Sequence, residues 1–114
     1  MKVYHGTSAI KLQGILKDGV TPPSFWTFEQ QAYAPYAYIE ELKGNGGAVI
    51  SVEVSGRQWY EQDKNTFEFI PLDGSDDDIY ENMVCNSIGI VCLETIAPGD
   101  IEVVHFSEPL KRVK

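Results

Sequence analysis

Near the start of the chain, Tyr4-His5-Gly6-Thr7 sets an imidazole beside a residue with no side chain. If a strand ends there, the glycine lets a ligand approach the backbone closely. Its amide and carbonyl can then pair with an amide-bearing ligand, with the histidine exposed next to them. On its own the tetrapeptide reads more simply as a surface histidine beside a strand-ending glycine. His105, between Val104 and Phe106, reads as a structural or surface histidine. Cys85 and Cys92 are seven apart in an apolar neighbourhood, far from both histidines. Zinc sites want about four ligands at tighter spacings, so the pair reads as two reduced, buried thiols. The acidic run Asp73 to Asp78 lacks the spaced acids and the bidentate glutamate of a calcium loop and reads as a solvated turn. No GxGxxG, P-loop or GxSxG motif occurs.

The elements that must position these residues follow from local chemistry. Lys2 to His5 is a short first strand. Thr7 or Ser8 can cap a helix in which Ile10, Ile15 and Leu16 fall near helical spacing, and Gly19 suits its stop. Paired prolines make 21–24 a loop. Phe25-Trp26-Thr27-Phe28 is a short aromatic strand, and Thr27 and Gln30 have capping-box spacing. A helix is predicted from about Glu29 to Lys43, carrying Ala32, Tyr36, Ile39 and Leu42 or their neighbours inward, and Gly44-Asn45-Gly46-Gly47 ends it. Ala48 to Val54 is the clearest strand. Gly56 to Lys64 reads as loop and Thr66 to Pro71 as a strand. Asp78 to Met83 reads as a short helix with acids at its N-terminus. Ile88 to Leu93 and Ile101 to Phe106 are two late strands split by Pro98-Gly99. The pattern is α+β with an antiparallel or split sheet.

In order and spacing, these segments resemble the ADP-ribosyltransferase superfamily, in its diphtheria-toxin-like and poly-ADP-ribose-polymerase-like branch with a His-Tyr-Glu site. The resemblance runs over roughly the first 55 residues: Tyr4-His5-Gly6-Thr7-Ser8, the segment Ile10 to Gly19, Phe25-Trp26-Thr27-Phe28, Ala32-Tyr33-Ala34-Pro35-Tyr36-Ala37, and the strand from Ala48. It implies a small split β-sheet with two N-terminal helices and NAD as the bound cofactor. It also implies roles. His5 would bond the adenosine-side ribose, Gly6 would hold the nicotinamide carboxamide through its backbone, Thr7 would support the turn and the ribose, and Tyr4 would belong to the same cofactor-binding set. Tyr36, or Tyr33 one turn back, would stack on the nicotinamide. Phe25 and Trp26 would form another wall, since a planar cationic ring favours an aromatic sandwich. Plain core packing is the alternative for each of these aromatics. The family's third element is a glutamate near the start of a late strand, steadying an oxocarbenium-like transition state. Here the sequence departs: Asn86-Ser87 stands at that place, leaving Glu94 as first candidate, Glu81 as second, or no acid.

Composition bounds the rest. The 114 residues fit one domain, 1–114, with 43% apolar residues. No apolar run nears the ~18 residues a membrane span needs, and Met1 to His5 is not a signal peptide, so a cytoplasmic protein without membrane contact is expected. The net charge of −8 disfavours direct non-specific nucleic-acid binding and favours a basic protein as partner. The leading expectation is NAD-dependent transfer of ADP-ribose to a macromolecule, more readily a protein, by a minimal enzyme resembling phage or toxin effectors. The alternative is a non-catalytic acidic binding or inhibitor protein on a degenerate version of the fold, acting on a nucleic-acid-binding partner. An RNA 2′-phosphotransferase-like activity ranks below both, because Arg57 and Arg112 are the only arginines.

Overall fold

The computed structural model describes residues 1–85 and 89–110. The elements run β1 (Lys2–Ser8), α1 (Ala9–Asp18), β2 (Ser24–Trp26), α2 (Glu29–Ala32), a π-helical turn (Tyr33–Ala37), α3 (Tyr38–Leu42), β3 (Gly47–Glu53), β4 (Trp59–Gln62), β5 (Phe69–Pro71), α4 (Asp76–Cys85), β6 (Ile90–Cys92), a 3-10 turn (Pro98–Asp100) and β7 (Glu102–Phe106). The class is α+β. The strands form two antiparallel sheets, β1-β3-β7 and β2-β6-β4-β5. Between the sheets, Tyr4 and Thr27 form a single two-bond bridge, each amide donating to the other's carbonyl at 2.8 Å.

Alternation along β1 separates two cores. Val3 is opposite Val52, His5 opposite Ile50 and Thr7 opposite Ala48. That face closes on the main core, which includes Trp26, Trp59, Leu12, Ile79, Met83 and Ile90 from the second sheet, α1 and α4. Tyr4, Gly6 and Ser8 face the other way, opposite Ser51, Val49 and Gly47. There α2, the π turn and α3 lie on the sheet, with Ala32, Ala37, Val49 and Tyr4 as a small second core. The approach is close enough to require glycine twice. A Cβ on Gly6 would overlap the Ala32 carbonyl, and one on Gly47 would overlap the Ala37 carbonyl.

The helix over 29–42 is not the regular amphipathic helix the spacing predicts. Pro35 cannot donate a backbone hydrogen bond and crowds the carbonyl four residues back, and the chain there widens into the π turn. Ala32 and Ala37, five residues apart, both face the sheet with no exposed surface. Tyr36, Ile39 and Leu42, expected inward, are exposed. The expected Thr27–Gln30 capping box is absent; Thr27 Oγ1 donates to the Gln31 side chain instead. On α1 the cap is Ser8, whose Oγ accepts from the Lys11 amide at 3.1 Å, and Gly19 ends the helix with φ 86°. Its inward residues are Ala9 and Leu12, with Ile10 and Leu16 exposed.

In the later half, the segment expected as loop contains β4. Trp59 is buried there, with its indole N–H donating to the Val54 carbonyl at 2.9 Å. The acidic turn is a helix start: Ser75 Oγ accepts from the Asp78 amide, and Asp73 accepts from the Ser75 amide. Those local bonds hold the Asp73 carboxyl below the usual carboxylate range. Cys92 is buried as expected, but Cys85 is exposed at the end of α4. No helix among the described residues is long and apolar enough to cross a membrane.

Candidate ligand cleft at the strand split

β1 and β2 run antiparallel past the Tyr4–Thr27 bridge and then part. Had the ladder continued, His5, Gly6 and Thr7 would have met Trp26, Phe25 and Ser24. Instead a cleft of 820 Å³ opens there. Its floor is Tyr4 to Ser8. One side is built by α1, the loop that follows and β2, through Lys11, Ile15, Val20, Pro23 and Phe25. The other side is the helical segment over 31–43, through Gln31, Tyr36, Ile39, Glu40 and Lys43.

Within an antiparallel strand, the N–H and C=O of every second residue point to the same side. Tyr4 uses its pair on Thr27, away from β3. Gly6, two residues on, therefore aims its amide and carbonyl beyond the bridge, into the split. Neither group has a backbone or side-chain partner among the described residues. The cleft floor thus offers one donor and one acceptor side by side, with no side chain in the way. Tyr36 stands over them: its Cβ lies 2.8 Å from where a Gly6 Cβ would be.

His5 crosses the split. Its Nδ1 is 2.8 Å from the Phe25 carbonyl. A carbonyl only accepts, so Nδ1 carries the proton and Nε2 is a free acceptor in the neutral ring. Burial pushes the His5 pKa below the ordinary histidine value. The Phe25 carbonyl opposes that shift and the nearby Lys11 ammonium reinforces it. Trp26 packs against the imidazole at 5.3 Å between ring centroids.

The expected site residues separate into two sets. Tyr4, His5, Gly6, Thr7 and Tyr36 all line the cleft, with Phe25. Trp26 does not. It is completely buried, its indole N–H donates to Ser24 Oγ at 2.8 Å, and it meets Trp59 edge-on. It is a support behind His5 rather than a wall. Tyr33 is also turned away, because the π turn rotates it toward β7, where its ring meets His105 edge-on at 4.7 Å. His105 in turn bonds Glu41 at 2.6 Å, so the pair Tyr33 and His105 fastens the helix to the sheet. Glu94 and Glu81 are exposed and neither lines the cleft. At the start of β6, a Cβ on Gly89 would overlap the Trp26 carbonyl, which leaves no room for a side chain. Asn86-Ser87, where the acid was sought, lies outside the described residues.

The cleft residues with charged or amide side chains, Lys11, Gln31, Glu40 and Lys43, escaped the sequence reading. The available signal was spacing, since Glu40 and Lys43 follow Tyr36 by four and seven along one helix. Among the described residues no group of three or more His, Cys, Asp or Glu side chains is placed to hold a metal ion. The chain matches no family model, no curated protein and no solved structure.

Proposed function

We propose that the cleft binds NAD and that the chain is a minimal ADP-ribosyltransferase-like protein, transferring ADP-ribose to a macromolecular target. The observation that carries this reading is the pair of unpartnered Gly6 backbone groups at the strand split. A carboxamide needs one donor and one acceptor in that arrangement. The cleft also has the volume a nucleotide-sized ligand requires.

The geometry supports the following roles. Gly6 would hold the carboxamide, and Tyr36 would cover the nicotinamide ring. His5, neutral and fixed in its Nδ1–H form by Phe25, would accept a ribose hydroxyl proton at Nε2. In transfer, the bond between the ribose C1′ and the nicotinamide nitrogen would break, its electron pair leaving with neutral nicotinamide, and the acceptor's nucleophile would take its place and release its proton to solvent. The protein would contribute mainly by positioning. The charge of −8 favours a basic protein as acceptor.

The position of Glu94 outside the cleft favours a second reading, a non-catalytic acidic binding protein on the same fold that occupies a nucleic-acid-binding partner. Thermal unfolding with NAD separates the two. At 1 mM NAD a Kd of about 0.1 mM adds about 1.4 kcal/mol, a readable rise in Tm. The first reading expects that rise, and its loss in His5→Ala and Tyr36→Ala. No rise at any NAD concentration would sink it.

A further inference from the structure

Three charged side chains line the cleft: Lys11, Glu40 and Lys43. Two are cations, in a chain whose acids outnumber its bases by 17 to 9. Glu40 is the only carboxylate there among the described residues. It follows Tyr36 by one turn on the same wall, a spacing that brings Cβ atoms to about 6 Å. Asn45 Nδ2 donates to its Oε2 at 3.0 Å, and Lys43 Nζ lies 3.7 Å from Oε1. The side chain is 28% exposed, so the carboxylate is held at the wall rather than free in solvent.

We propose that Glu40 makes the cleft select a cationic, oxidised nicotinamide over its neutral, reduced form. The inference rests on the NAD reading above. Oxidised NAD joins a positive ring to a negative diphosphate, and the cleft sets one carboxylate and two ammonium groups around a single volume. With the carboxamide on Gly6, the ring lies under Tyr36 and the next turn brings Glu40 toward it. Reduction to NADH leaves the diphosphate unchanged and removes only the ring charge. Lys11 and Lys43 attract that diphosphate equally in both forms and repel only the charged ring, so the preference measures the attraction of Glu40 beyond that repulsion. The expected preference, about tenfold in affinity, is the size of one partly screened charge pair.

The test is calorimetric titration of the wild-type protein, Glu40→Gln and Glu41→Gln with NAD and with NADH. Glutamine retains the carbonyl that accepts from Asn45, so the wall stays in place. Glu41 bonds His105 and does not line the cleft, so its variant is the control. The expected result is a wild-type preference for NAD of about tenfold. Glu40→Gln removes that preference by weakening NAD alone, and Glu41→Gln leaves it intact. Equal wild-type affinity for both forms, an unchanged ratio in Glu40→Gln, or equal weakening of both forms would overturn the role of Glu40 while leaving NAD binding standing. Failure of the wild-type protein to bind either form would overturn the NAD reading itself, and this inference with it.

Discussion

The His5 imidazole donates to the Phe25 carbonyl at 2.8 Å across the gap where the ladder between their strands has stopped. A side chain thus replaces a backbone bond at the point of separation. Nδ1 is committed to that bond, and Nε2 has no hydrogen-bond partner among the described residues. The same contact that positions the histidine also fixes its tautomer.

That contact makes a prediction about pH. The fold favours neutral His5, so the unfolded chain takes up the proton first as pH falls. Its contribution to stability is complete above the ordinary value of about 6.5, declines as pH drops through it, and levels off below the lowered folded-state value. Chemical denaturation of wild type and His5→Asn across that range should give a difference curve falling toward acid. A flat difference would show that burial does not disfavour the charged ring.

Gly6→Ala should be among the most damaging small substitutions. Its methyl would meet the Ala32 carbonyl and crowd Tyr36 Cβ. Overpacking against backbone costs about 1–3 kcal/mol. Urea unfolding should show a loss of that size, whereas Gly14→Ala, with open space around it, should be neutral or stabilising.

Trp26→Ala should cost about 3–5 kcal/mol, as truncating a fully buried aromatic does. Trp26→Phe keeps most of the packing but strands Ser24 Oγ, at a cost of about 1–3 kcal/mol. Because Trp26 lies behind His5 and not on the cleft surface, the folded Trp26→Phe protein should retain a rise in Tm with NAD. Complete loss of that rise would mean that Trp26 touches the ligand.

Glu94→Gln and Glu81→Gln should leave NAD affinity unchanged, and stability within about 0.5 kcal/mol, since both side chains are exposed and outside the cleft. A large fall in affinity for either would place a carboxylate in the site that the geometry leaves out.

Local chemistry made much of this architecture readable. Ser8 and Gly19 bound α1 because capping needs only neighbours in sequence. The apolar run in β3 is legible because that strand is covered on both faces, by the main core and by the helix over 29–42. The Tyr4-His5-Gly6-Thr7 segment, singled out by its residue types, lines the cleft. What stayed hidden depends on partners distant in the chain. β4 is a strand because β5 and β6 flank it, and Trp59-Tyr60-Glu61-Gln62 alone does not alternate. Trp26 and Tyr36 are both aromatics near the site, yet only the fold decides that one is core and the other lip. Tyr33 faces His105 because of a π turn whose only local sign is Pro35.

Counted as chain length, the π turn makes the helical segment one residue longer than the sheet beneath it needs. Ala32 and Ala37 sit on the floor at a spacing of five, where a regular α-helix would use four. Deleting Ala34 together with Pro35→Ala would therefore leave both floor contacts available to an ordinary helix and change what projects from the lip. The position of Tyr36 over Gly6 is in that sense tied to one surplus residue, and its loss with that of the proline is a short route by which a chain of this kind would keep its fold and reshape its cleft.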